Sequence, residues 1–312
     1  MKKQLLTLTL LPLLVMTGCN KPIAGSKELE ISVLCPVGAP ALAFHQYGND
    51  ANFSTNNNPT MIAGYMSTNN YDAIIVDTTS GINAINTGAN YRLAATITLG
   101  NFFIQSVNGD TTLDKTDTVV LFGNANAIPY KVFSYLYGTD YKTEFCGGGV
   151  DKAAYVLETG TNTATGNKAD WVFISEPYLY NSLNNKPALK NNTTIDVQEV
   201  YKSKNNNLPL MQASIFISKT TTKVRANRFL ETIKSDISDA VSNPTLVKEN
   251  LNEMSSVEET QAKFGINADV AEAVLKYNGV GLGYMSAKEN KEAIDSYISL
   301  FGMAVTNEEI YF

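Results

Sequence analysis

The apolar positions of this 312-residue chain fall into short strand-forming runs, and three of those runs end in the same way. Ile31 to Leu34 is strand-forming; Pro36, Gly38 and Pro40 interrupt it, and Ala41-Leu42-Ala43-Phe44 resumes as a helix former. Tyr71 to Asp77 is long enough for a strand buried on both faces, and Thr78-Thr79-Ser80-Gly81 follow it before the helix-like Ile82 to Ile85. Asp117 to Phe122 runs through Gly123-Asn124-Ala125-Asn126 and Pro129 into a helix on which Val132, Phe133 and Leu136 share a face. Each reads as strand, turn of small residues, helix. A helix entered in this way aims its first free N–H groups over the carboxyl end of the strand, where open α/β sheets hold ligands.

Further strands are expected over Tyr91–Thr98, Phe102–Ser106 and Lys168–Ile174, the last running into Ser175-Glu176-Pro177. Phe102–Ser106 reads as a strand leaving a first body, and Leu208–Ile217 as a strand returning to it; two crossings imply a hinge. The predicted organisation is therefore α/β and two-lobed, each lobe a mixed sheet flanked by helices and the two joined by two hinge strands. Lobe 1 takes residues 29–104 and 211–312, and lobe 2 takes 105–210. The end of the chain reads as helices over Val224–Val241, Thr245–Met254, Val257–Phe264, Asp269–Lys276 and Ala287–Phe301. Ile294, Tyr297, Ile298, Leu300 and Phe301 form an apolar face expected to pack on a lobe.

At the amino terminus Lys2 and Lys3 precede the apolar stretch Leu5 to Val15, and Met16-Thr17-Gly18-Cys19 follows. This resembles a bacterial lipoprotein signal, with residues 1–18 removed and Cys19 lipidated by diacyl and palmitoyl chains. Two acyl chains anchor stably where one does not, at about 0.8 kcal/mol per buried methylene. Residues 19–28 have linker composition and act as a tether, which places the protein on the extracytoplasmic face of a cell membrane. The formal charge of −6 becomes more negative once Lys2 and Lys3 are lost, and no basic cluster remains to attract nucleic acid.

Cys35 and Cys146 are expected as two buried free thiols. The single histidine, His45, follows the helix-forming Phe44 and reads as a partly buried helix residue, not a base; no Cys/His spacing suggests a metal site. Gly147-Gly148-Gly149 lacks the Lys-Ser/Thr of a phosphate loop and reads as a turn. Thr78, Thr79 and Ser80 serve either as helix caps or as hydroxyls for a ligand. Glu176 either accepts hydrogen bonds from a ligand or caps the helix after it. Phe44, Phe102, Phe103 and Tyr178 either stack on a flat ring or pack in the core.

Taken in order, VGAPALAF, YDAIIVDTTSG, ITLGNFFIQS, TVVLFGNANAIPYKVFSYL, ADWVFISEPYLYN and LPLMQASIFIS resemble the solute-binding proteins of bacterial ABC importers. Within these, the pattern is similar to the group that takes up nitrate, sulfonates, taurine and thiamine-pyrimidine precursors. The resemblance spans essentially the whole chain after the signal. It implies a type II periplasmic-binding-protein clamp, a monomer without cofactor that closes on a small-molecule ligand and presents it to an ABC permease. The cleft lining it implies is Gly38, Ala39, Pro40, Thr78, Thr79, Ser80, Asn101, Gly123, Asn124, Ala125, Asn126, Glu176 and Pro177. Asn124 and Asn126 replace the small Gly, Ser or Thr residues common in that loop. Three helix N-termini facing one cleft would each favour partial negative charge by roughly 0.3 to 1 kcal/mol. The turn segments nevertheless carry no conspicuous Arg or Lys, which points to a small polar or heteroaromatic ligand. Two other classes fit less of the pattern: an enzyme on the same fold resembling a thiamine-pyrimidine synthase, and a surface adhesin-type lipoprotein.

Overall fold

The computed structural model describes residues 27–305 and 307–312; the signal and Cys19 lie outside the described residues. The chain opens with β1 (Val33–Pro36), a 3-10 helix over Ala39–Tyr47, β2 (Phe53–Asn56), α1 (Pro59–Tyr65), β3 (Ala73–Asp77), α2 (Thr78–Asn86) and β4 (Tyr91–Thr98). It then builds a second sheet from β5 (Phe102–Ser106), β6 (Thr118–Leu121), α3 (Ile128–Tyr137), β7 (Lys142–Phe145), α4 (Val150–Thr159), β8 (Trp171–Ser175), α5 (Tyr178–Asn185), β9 (Thr194–Asp196) and α6 (Val197–Lys204). It returns through β10 (Ala213–Ser218) and closes with α7 (Lys223–Ser242), α8 (Pro244–Asn252), α9 (Val257–Phe264), α10 (Ala268–Leu275), β11 (Leu282–Ser286) and α11 (Lys291–Ser299).

The six-stranded first sheet has the order β11-β4-β10-β3-β1-β2, and the five-stranded second sheet the order β7-β6-β8-β5-β9. Both are mixed. β1 lies parallel to β2 and β3, whereas β10 runs antiparallel to β3 and β4. In the second sheet β6 is parallel to β7 and β8, and β5 is antiparallel to β8 and β9. The central strands are buried on both faces because they are apolar at consecutive positions: Ala73 to Ile75 and Val119 to Leu121 have no exposed surface.

The boundary expected at 104/105 falls inside β5, whose residues from Phe102 to Ser106 all pair with β8. The crossing is the short segment between Thr98 and Phe102, where Gly100 takes φ +104°. Ala39–Tyr47 is a 3-10 helix kinked at Phe44, not an α-helix. Its residues are buried almost all round, against α7, α8 and the sheet, so no polar face is presented. β2, β7, β9 and β11 were not expected from the sequence.

Cys35 and Cys146 are both free and buried, and burial pushes the Cys146 thiol up to about 11. Behind the Ala39–Tyr47 helix, the fully buried Asp236 of α7 accepts from the Tyr47 hydroxyl (2.6 Å), Gln46 Nε2 (3.0 Å) and Lys27 Nζ (2.8 Å). His45, 1% exposed, has its Nδ1 2.8 Å from Asn250 Nδ2. Among the described residues no helix is long and apolar enough to cross a membrane.

Candidate ligand-binding cleft

Four strand tips carry the residues that the sequence singled out, apart from Asn101, which lies between β4 and β5. After β1, Gly38 adopts φ +99° and its N–H donates to Phe264 O (2.7 Å), so this turn is tied to the end of α9. Ala39 is buried, and Pro40 sits in the first turn of the following helix. After β3, Asp77 caps α2: Oδ1 accepts from Ser80 N (2.9 Å) and from the Thr79 hydroxyl. Thr78 turns toward β10 instead, its N–H donating to Gln212 O (3.0 Å) and its Oγ1 lying 2.7 Å from Ser214 Oγ.

After β6, Gly123 has φ +79°, and a Cβ there would come within 2.6 Å of the Ala127 Cβ. Glycine is therefore the residue that lets the turn close. Asn124 holds the rest of it, accepting from Asn126 N at its side chain (2.8 Å) and from Ala127 N at its carbonyl (2.9 Å). Asn124, Ala125 and Asn126 are exposed. After β8, Glu176 precedes Pro177 through a cis peptide bond.

The tips of β1 and β3 and the start of α3 enclose a cavity of about 400 Å³ lined by Pro36, Ile62, Val76, Asp77, Thr79 and Ser80 on one side. Asn126, Ala127 and Ile128 line it from the second sheet's half, and Phe301, just after α11, completes it. Of the residues singled out by the sequence, Thr79, Ser80 and Asn126 meet here. Gly38, Ala39, Pro40, Thr78, Asn101, Gly123, Asn124, Ala125, Glu176 and Pro177 are not in its lining. A second cavity that both halves share, about 260 Å³, lies behind the crossings between Phe103, Gln198 and Lys202 and the segment from Tyr277 to Leu282. Its lining takes in Leu99 and Gly100 after β4, Phe103 of β5 and Asp196 at the end of β9, which pair antiparallel with their neighbours, and none of the tips of β1, β3, β6 or β8, so the first cavity is the one at the expected place for a ligand.

Asn101 and Glu176 form a hub at the crossings. Asn101 Nδ2 donates to Glu176 O (3.2 Å), its carbonyl accepts from Glu176 N (3.1 Å), and its Oδ1 accepts from Gln212 Nε2 (3.0 Å). The Glu176 side chain, 2% exposed, accepts from Tyr180 N (2.9 Å) and from the Tyr277 hydroxyl. Burial pushes its carboxyl above the usual range, against the pull of those two donors. Tyr277 follows α10, so this bond links the two halves. A second link runs from α11, where Ser296 Oγ lies 3.2 Å from the Tyr201 hydroxyl and donates to Asn205 Oδ1 (3.1 Å). Tyr277→Phe leaves a buried carboxylate oxygen without its donor and is expected to cost about 1–3 kcal/mol. Urea denaturation measures this, and an unchanged midpoint would mean that the bond adds nothing.

The electrostatics of the cavity differ from the expectation of three open helix N-termini. Asp77 is the N-cap of α2 and the Gly38 N–H is spent on Phe264 O, whereas α3 starts at Ala127 with no side-chain cap. Asp77 is missing from the sequence-based set, although a carboxylate directly before Thr-Thr-Ser is a helix-start signal. Ile62 and Phe301 carry no such signal, since α1 and the segment after α11 reach the cavity only through tertiary packing. Phe44 stacks on Phe53 at 5.0 Å and Phe102 packs at 5.2 Å from Phe173, while Phe103 joins the core under α4 and α5. Tyr178 is 36% exposed on α5. Among the described residues no group of three or more His, Cys, Asp or Glu is placed to hold a metal ion.

No family model matches the sequence, and no curated protein matches it. Solved structures do. An ABC transporter protein from Parabacteroides distasonis superposes with a TM-score of 0.70 at 17% identity, over 90% of this chain and 98% of that one. The periplasmic aliphatic sulphonate-binding protein SsuA from Escherichia coli gives 0.59 at 10% identity, over 91% and 92%. The ligand-binding component of an ABC-type import system from Staphylococcus aureus, solved with zinc bound, gives 0.55 at 9% identity, over 90% and 100%. With its two mixed sheets flanked by helices, the chain has the periplasmic-binding-protein fold of these structures.

Proposed function

We propose that the protein is the extracytoplasmic solute-binding lipoprotein of an ABC importer. It is a monomer tethered through Cys19 that takes up a small polar or heteroaromatic molecule and delivers it to a permease. Its two lobes divide at the crossings near residues 99–101 and 208–212, and the cleft between them is the ligand site. The observation that carries this reading is the cavity of about 400 Å³ whose walls come from the strand tips of both halves. A ligand touching both walls makes its full set of contacts only when the lobes are together, so binding stabilises the closed form, which the permease then recognises. His45 is buried against Asn250, away from this cavity, and no observation favours the enzyme alternative.

The test is a thermal-shift screen of small metabolites on the soluble form lacking residues 1–19. A ligand present at about 100 times its Kd should add about 2.7 kcal/mol of stability. Asn126→Ala should weaken the hit about tenfold, roughly 1.4 kcal/mol, without unfolding the protein. A hit whose affinity ignores Asn126→Ala and Ser80→Ala alike would move the site out of this cavity, and a screen with no hit would count against the transport reading.

A further inference from the structure

We infer that the cavity selects an uncharged molecule with a compact apolar body and a hydrogen-bonding edge, and that it rejects anions such as sulfonates. This rests on the cavity being the ligand site proposed above. Pro36, Ile62, Val76, Ala127, Ile128 and Phe301 give most of the wall to apolar groups, and the volume suits a single ring system. Ser80 and Asn126 supply a hydroxyl and an amide, which both donate and accept, and the Thr79 hydroxyl, whose proton goes to Asp77, can accept. Among the described lining residues there is no Lys, Arg or His.

An anion bound here would need donors or a countercharge to replace its water. Two helix starts reach the cavity: that of α2 is filled, since Asp77 Oδ1 already accepts from Ser80 N and the Thr79 hydroxyl, and that of α3, which has no side-chain cap, carries Pro129 in its first turn and so has one N–H fewer to give. That arrangement holds whether or not the carboxyl carries its proton, because the acceptor oxygen is engaged in both cases. Where Asp77 is ionised, it also repels a second negative charge. An uncharged ring loses little on leaving water and gains from the apolar wall, so it is the ligand that this lining favours.

The test uses probes that share a skeleton and differ in charge, on the full-length protein in detergent: benzamide with benzoate and benzamidine, and benzenesulfonamide with benzenesulfonate. Isothermal titration should find the amide and sulfonamide bound at least about tenfold more tightly than their charged partners. Asn126→Trp, at an exposed position on the rim, should abolish that binding. Asp77→Ala should narrow the gap between sulfonamide and sulfonate by freeing the first turn of α2. An anion or benzamidine bound as tightly as the uncharged probe, and lost in Asn126→Trp, overturns the inference while leaving the cavity as a ligand site. Binding of the uncharged probes that ignores Asn126→Trp overturns the cavity assignment as well. No binding by any probe overturns the inference, and the metabolite screen then judges the binding-protein reading separately.

Discussion

Replacing Gly281 with alanine is expected to destabilise the protein by about 3 kcal/mol, combining the cost of a left-handed backbone with that of an overpacked contact. Gly281 has φ +61°, and a Cβ built on it would lie 1.9 Å from Gly100 O and 2.7 Å from Gly100 C. These are backbone atoms, so no side chain can swing aside. Nor can the backbone drift freely, because Leu99 N donates to Gly281 O at 2.7 Å and a Cβ on Gly100 would meet Gln198 Oε1 at 2.8 Å. The segment after α10 is wedged directly against the first crossing. Gly160, left-handed at φ +76° and ψ +8° and with no atom nearer its Cβ position than Val107 Cγ1 at 3.5 Å, is the control: alanine there should cost only the conformational part, about 1 kcal/mol. Urea denaturation of both variants decides the matter, and equal losses would mean that the wedge can give way.

Acidification from pH 7 to pH 4 should remove about 3 kcal/mol of stability through His45 alone. Burial lowers its imidazole from 6.5 to about 4, although Asp236 pulls the other way. Between those two values the unfolded chain binds a proton that the folded one refuses, so stability falls as pH falls through the window. Asp77 and Glu176 act with the opposite sign. Burial raises both carboxyls, so their contribution is present below the ordinary carboxylate value and is lost as pH rises through the folded value. The His45 share is isolated by His45→Gln, which should flatten the stability curve between pH 6.5 and 4. Parallel curves for the two proteins would show that the buried imidazole is not what makes the fold sensitive to acid.

The strands that could be read from the sequence are the inner ones, and the four that could not are the edges. β2 and β11 border the first sheet, and β7 and β9 border the second. Inner strands such as β3 and β6 are apolar at successive positions because both faces are covered, and that run is visible without any knowledge of partners. Lys142–Phe145 and Thr194–Asp196 are mostly half-exposed and become strands only because β6 and β5 offer them a free edge. The cavity divides along the same line. Thr79, Ser80 and Asn126 are legible because they lie in the turns or first helical residues that follow strand ends, whereas Phe301 depends on how α11 docks. The sequence around Glu176 suits a ligand acceptor or a cap; its carboxyl caps the Tyr180 N–H and also holds Tyr277, a partner that no local pattern announces.

The position of β4 between β10 and β11 bears on how the chain comes together as it is made. Every strand of the second sheet lies between Phe102 and Asp196, so that unit can complete its pairing from one continuous stretch. β4, in contrast, has its inner neighbour at Ala213–Ser218 and its outer neighbour at Leu282–Ser286. Until both arrive, two rows of unpaired backbone groups stay open to pairing with another molecule. Strands synthesised long after β4 are therefore what seal the earlier-made sheet, and a nascent chain stopped before Ala213 carries an adhesive ribbon down its middle.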